Sequence, residues 1–225
     1  MCLPAGRQAR CKMIAIIDYG MGNLRSVAKA LEAAGAKNVK VTSSATLISK
    51  ADKIVLPGVG AMGEAMQELN KLRLLEVIKK NIFKKPFLGI CLGLQLLFTE
   101  SEEGGNVRGL GILKGKVKRF SDELKVPHMG WNQIKIKNQK SKIKNTNQKS
   151  KISNPFFKNI PDNSYFYFCH SYYVIPEDKS IIIATTDYGR EFVSAVAKDS
   201  LFACQFHPEK SQRLGLKLLE NFVKV

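Results

Sequence analysis

The sequence predicts an α/β protein whose first half forms a parallel sheet with crossover helices and whose second half adds antiparallel strands. Three observations carry this. Short apolar runs alternate with helical stretches from Met13 to Phe98, the pattern of βαβ units. After Gly111 the β-branched and aromatic runs follow one another with few helical stretches between them, so some must pair antiparallel. The 225 residues are 44% hydrophobic and 24% charged, which suits one domain with a real core. No apolar stretch reaches the ~20 residues of a membrane span, so no membrane partner is expected.

Taken in order, residues 1–12 carry Arg7, Arg10 and Lys12 without the apolar core of a secretory signal, and are expected to be a disordered extension. The fold then begins at Met13. MIAII (13–17) reads as a strand and NLRSVAKALEAAG (23–35) as a helix. Asn23 is its cap, Leu24, Val27, Ala28 and Leu31 share a face, and Gly35 is a left-handed stop. KIVLPG (53–58) is a second strand, MQELNKLRLLEVIKKNI (66–82) one helix, PFLGI (86–90) a strand and LGLQLLF (92–98) a helix. GILKGKVKRF, WNQIKIK, YFYFCHSYYVI, SIIIATT, FVSAVAK and LFACQF supply the later strands. A last helix starts after Ser211 as its cap, with Leu214, Leu218, Leu219 and Phe222 as its apolar stripe.

The net charge of +17 is concentrated in two places. Residues 1–12 hold three cations and residues 134–151 hold seven lysines, with no acid in either, which leaves +7 on the other 195 residues. The lysine-rich stretch contains the near repeat NQKSKIK (138–144) and NQKSKIS (147–153). It reads as a low-complexity insertion at about 138–153 in a single domain spanning 13–225. It has no Phe, Tyr or Trp to stack a base, so no nucleic-acid partner is expected. Five cysteines without a CxxC pair fit a reducing cytoplasm. The three histidines are not clustered with other ligands, so neither a metal nor a cofactor is expected.

The chemistry concentrates in three stretches. Gly89, Cys91 and Gly93 form G-x-C-x-G between a strand and a helix. This is the cysteine counterpart of a nucleophile elbow, in which small neighbours permit a sharp turn and the helix start favours a thiolate. The Leu92 N–H then points at whatever the sulfur attacks. An isolated cysteine is more often a buried structural residue, but QFHPE (205–209) offers His207 as a base, with Glu209 two residues on to orient it. LPGVG (56–60) ends a strand in glycines whose amides can turn toward an anion, although Pro-Gly most often marks a plain turn.

GICLGLQLLF together with QFHPE resembles the class I glutamine amidotransferases. IDYGMGNLRSV, LPGVGAM, PHMGWN, FCHSYYV and QFHPEKSQ are similar to one subfamily, the glutaminase subunits of imidazole glycerol phosphate synthase, over essentially Met13 to Val225. The resemblance implies a flavodoxin-like fold with a central, mostly parallel sheet. It implies hydrolysis of L-glutamine by Cys91, His207 and Glu209, with Gly58, Val59 and Leu92 forming the oxyanion hole and Gly58, Gln95, Ser171 and Tyr172 holding the substrate. It also implies delivery of ammonia to a (β/α)8 barrel cyclase, with His128 and Trp131 as interface candidates. Core packing for Trp131, and a structural, hydrogen-bonded imidazole for His128 and His170, remain open. So do the glutaminase of another amidotransferase, such as the anthranilate type, and a catalytically silent binding module.

Overall fold

The computed structural model describes residues 12–137 and 154–225. The expected leader, except Lys12, and the insertion at 138–153 lie outside the described residues.

The strands are β1 Met13–Ile17, β2 Asn38–Thr42, β3 Lys53–Gly58, β4 Phe87–Cys91, β5 Phe98–Ser101, β6 Val107–Arg108, β7 Leu113–Arg119, β8 His128–Ile136, β9 Ser164–His170, β10 Tyr172–Pro176, β11 Ile182–Asp187, β12 Glu191–Lys198 and β13 Leu201–Cys204. The helices are α1 Leu24–Ala33, α2 Ala45–Lys50, α3 Met62–Lys71, α4 Leu75–Asn81, α5 Leu92–Gln95 and α6 Gln212–Lys224. One sheet runs β2-β1-β3-β4-β13-β12-β10-β7-β5-β6, with β11, β8 and β9 branching from β12. The block from β2 to β13 is parallel, and the sheet turns antiparallel at β13–β12.

Both faces of the parallel block are covered. In β1, Ala15 and Ile17 face the core under α2, α3 and α4, while Ile14 and Ile16 face α1 and α6. A strand buried on both sides reads as an unbroken apolar run. At about 25 cal/mol per Å2 of apolar surface this burial is the main stabilising contribution. A buried lysine is the exception: Lys53 Nζ donates to the Phe222 carbonyl at 2.8 Å near the end of α6. Burial and the neighbouring Lys12 charge pull its pKa down to about 8.

The caps explain where helices stop. Asn23 accepts from Ser26 N, and α1 ends with Gly35 N bonded to Glu32 O and Ala36 N to Leu31 O, Gly35 being at φ +96°, which is a Schellman stop. The stretch 66–82, expected as one helix, is two. Arg73 takes φ 55°, with Arg73 N bonded to Asn70 O and Leu74 N to Leu69 O, the same stop built without glycine. Residues 92–98 are helical for one turn only. The Leu96 carbonyl accepts from Leu110 N, and the Leu97 carbonyl accepts from Ile112 N and Leu113 N, so the segment leading into β7 takes the backbone groups that a longer helix would use. Among the described residues no helix is long and apolar enough to cross a membrane.

Candidate active site

Cys91 ends β4 at the carboxyl edge of the parallel block, where the strand turns into α5. Its backbone sits at φ 53°, ψ −107°, a conformation that costs a non-glycine residue roughly 1–3 kcal/mol and is held by its surroundings. Those surroundings leave no room at the flanking glycines. A Cβ on Gly93 would lie 1.9 Å from the Leu56 carbonyl oxygen, and one on Gly89 would lie 3.0 Å from the Ala203 Cβ. The thiol is buried with a narrow exposed edge and donates to the Cys169 carbonyl at 3.8 Å.

His207 reaches the sulfur from the end of β13. Its backbone is extended, as expected before Pro208, but Pro208–Lys210 then forms a 3-10 turn. Glu209 therefore meets the imidazole from a turn and not from a continuing strand: its Oε1 lies 2.8 Å from His207 Nδ1. The backbone of His207 is fixed twice, its N–H donating to the Tyr167 carbonyl at 2.9 Å and its carbonyl accepting from the Ser211 hydroxyl at 2.6 Å. Ser211 occupies the N-cap position of α6 without capping it; its oxygen accepts instead from Tyr167 N. Burial favours a neutral ring, but hydrogen bonds and charge from Cys91 and Glu209 outweigh it and raise the His207 pKa to about 10.

Gly58 is the cross-strand partner of Cys91 in the β3–β4 ladder. Val59 follows on the exposed rim, and the Leu92 amide opens α5 beside the sulfur. Gln95 is buried, and both protons of its Nε2 are used, one on the Tyr172 carbonyl at 3.0 Å and one on Gln205 Oε1 at 3.1 Å. This leaves its Oε1 as the atom available to a ligand. Ser171, between β9 and β10, and Tyr172, which opens β10, are half-buried, and the Ser171 carbonyl accepts from Phe120 N.

The interface candidates separate. Trp131 is 46% exposed, on the same outward face of the β8–β9 ribbon as Met129 and Tyr165. A cleft of about 480 Å3 lies between this tryptophan, Tyr165 and residues 211–214. His128 is not on a surface: at 3% exposure it stacks between Tyr188 and Phe168, and its Nδ1 lies 2.9 Å from Nε2 of the buried His170.

Two residues at the site were not singled out from sequence. Gln205 is fully buried and donates from Nε2 to the Cys91 sulfur at 3.6 Å; strand alternation back from His207 was the available signal. Tyr19 donates to the Pro57 carbonyl at 2.9 Å, and a Cβ on Gly58 would lie 2.2 Å from its hydroxyl. Burial, then the Cys91 charge, holds that hydroxyl protonated. Among the described residues no group of acidic, cysteine and histidine side chains is arranged to hold a metal ion.

Burial lowers the pKa of His128 to about 4 and of His170 to about 3. Both lie below the unfolded value near 6.5, so the unfolded chain binds protons first. The stability they contribute is complete above pH 6.5 and declines as pH falls toward 4. Each is expected to cost up to about 2 kcal/mol between pH 6.5 and pH 5. His207, with a raised pKa, contributes only a small slope of opposite sign there, since its stabilisation reaches its full value as pH falls below the unfolded pKa. Urea midpoints at pH 7 and pH 5 test this: the chain should be clearly weaker at pH 5, and His128→Gln should flatten the difference.

The profile of the family Glutamine amidotransferase class-I matches residues 15–225. Among curated relatives, "Imidazole glycerol phosphate synthase subunit HisH" of Aquifex aeolicus is 52% identical over 92% of this chain and 94% of its own length. The protein of the same name from Methanocaldococcus jannaschii is 50% identical over 95% of this chain and 100% of its own. Solved structures agree in fold. PurLQS from Thermotoga maritima superposes with TM-score 0.67 at 17% identity, covering 95% of this chain and 98% of its own. The glutaminase domain of Trypanosoma brucei CTPS with bound acivicin superposes with TM-score 0.61 at 19% identity, covering 95% and 94%.

Proposed function

The chain belongs to the class I glutamine amidotransferase family, and we propose that it is the glutaminase subunit of an imidazole glycerol phosphate synthase, acting through Cys91, His207 and Glu209. One observation carries the chemistry: a cysteine in a strained elbow meets a histidine whose other ring nitrogen is held by a buried carboxylate.

Cys91 passes its thiol proton to His207, and the resulting thiolate adds to the carboxamide carbon of L-glutamine. The oxyanion that forms is held by the Leu92 amide and by the Gly58–Val59 peptide turned toward it. His207, kept protonated by its two partners, gives its proton to the nitrogen as the C–N bond breaks, and ammonia leaves. Water then attacks the γ-glutamyl thioester as His207 takes its proton, the C–S bond breaks, and glutamate departs, leaving the Cys91 thiolate beside protonated His207 as before the first addition. Glu209 holds the ring orientation throughout. Gln95 Oε1 and the Ser171–Tyr172 segment offer polar groups to the free amino acid, and the missing side chain at Gly58 lets the Tyr19 hydroxyl and Leu92 close against its backbone. No cofactor enters any of these steps.

Ammonia passes to a (β/α)8 barrel cyclase, and the apolar outward face of Met129, Trp131 and Tyr165 is the surface offered to it, a tryptophan flanked by apolar neighbours being a typical anchor. His128, buried, acts from behind that face. The unpaired state of Cys91, Cys169 and Cys204 is in keeping with a cytoplasmic setting.

Glutamate release is the test. The chain alone should turn over slowly, and adding the cyclase with its nucleotide substrate should raise the rate at least about tenfold, within the usual range of coupling between sites. No release in any combination would reject the function. Release stimulated only by a different synthase would reassign the partner.

A further inference from the structure

We propose that His128 and His170 form a hydrogen-bond relay that ends on the Tyr172 carbonyl, which it shares with Gln95, and so positions the Gln95–Gln205 amide pair against the Cys91 sulfur. The proposal rests on reading Cys91 as the nucleophile and adds two positioning residues to it.

The direction of every link follows from its acceptors. His170 Nδ1 lies 2.7 Å from the Tyr172 carbonyl, and a carbonyl only accepts, so that nitrogen carries the proton. In a neutral ring Nε2 is then bare and accepts, so His128 Nδ1, 2.9 Å away, must donate. His128 Nε2 is bare in turn and accepts from Asn132 Nδ2 at 3.2 Å. The Asn132 amide cannot be reversed, because its Nδ2 also donates to the Asp187 carbonyl at 2.8 Å and its Oδ1 accepts from Gln133 N at 2.8 Å. Beyond His170 the same Tyr172 carbonyl receives Gln95 Nε2, whose second proton goes to Gln205 Oε1. Gln205 Nε2 then reaches the sulfur at 3.6 Å.

Each group in this series is consistent with one tautomer and one amide orientation only. Both rings are buried, and burial first, with mutual repulsion at His170, holds their pKa values at about 4 and about 3, so both are neutral near pH 7. The cross-strand pairing of His128 with His170 in β8–β9 sets the ring contact. Phe120, Phe168 and Phe192 pack around the two rings. A ring so enclosed cannot rotate to trade donor for acceptor without leaving a buried polar atom unpaired.

Nitrogen-15 NMR of the histidine-labelled chain reads the relay without any assay of activity. Protons on Nδ1 of both rings and bare Nε2 atoms at pH 7 are expected; an Nε2–H tautomer or an imidazolium on either ring would overturn the proposal. Kinetics of the complex with the cyclase give the second arm. His170→Phe should lower kcat about tenfold with KM within about threefold, the cost of a slightly misplaced reacting group. His170→Asn, whose Nδ2 stands where Nδ1 stood, should recover most of the loss. Equal losses in the two variants would overturn it. Alkylation of the Cys91 peptide by iodoacetamide, followed by mass spectrometry, should show the same order. Because that readout needs no glutamine, a chain that fails as a glutaminase still tests the relay.

Discussion

Replacing Cys91 by alanine is expected to lower glutamate release by at least about 10^4-fold, since the groups around a missing nucleophile retain only a small part of its effect. The complex with the cyclase should still form. The substitution removes one sulfur from a site where the elbow geometry is imposed by neighbouring backbone, so thermal melting should shift by only a few degrees. A second signal accompanies the loss. The His207 ring is held protonated by Cys91 and Glu209 together, so without the sulfur its pKa falls, which histidine NMR reads directly. Undiminished turnover in this variant would remove Cys91 from the chemistry, and an unmoved His207 pKa would separate the imidazole from the thiol.

Gly93→Ala is expected to destabilise the chain by more than about 3 kcal/mol, the range reached when a core position is overfilled against atoms that cannot move aside. The added carbon would stand 1.9 Å from the Leu56 carbonyl oxygen and 2.9 Å from its carbon, which are backbone atoms of a central strand. Gly104→Ala is the control. Its φ is +65° with nothing within 4 Å of the new carbon, so only backbone strain of about 1 kcal/mol applies. Urea titrations of the two variants should therefore differ severalfold in lost stability, and equal losses would show that strand β3 yields.

What could be read from the sequence was what local residues decide. The alternation of apolar strands and helices gave the parallel block because strands covered on both faces carry no polar positions, as in β1. Asn23 and Gly35 marked both ends of α1 because capping is settled within a few residues. The break at Arg73 was hidden, since a left-handed stop is signalled by glycine or asparagine and arginine carries no such mark. The early end of α5 was hidden for another reason: the amides of Leu110, Ile112 and Leu113 impose it from a distance.

The same division runs through the site. Cys91, His207, Glu209 and Gly58 stand in short motifs whose chemistry can be recognised. Gln205 approaches Cys91 only because β13 lies beside β4, across 114 residues of sequence. His128 was visible as a candidate, but its burial against His170 depends on the register of β8 and β9.

The ladder between β3 and β4 has one more implication. Gly58 and Cys91 are opposite rungs of it, so the gap between the backbone that carries the sulfur and the strand facing it is a repeat distance of the sheet, about 4.8 Å from strand to strand. Loops above can lengthen, shorten or change sequence without widening that gap. Only slippage of one strand along the other would alter it, and a slip of a single residue turns every side chain of the strand to the opposite layer. The apolar interior thus acts as the gauge block for the reactive groups: whatever preserves the packing preserves their spacing, and mutational drift at the rim leaves it untouched.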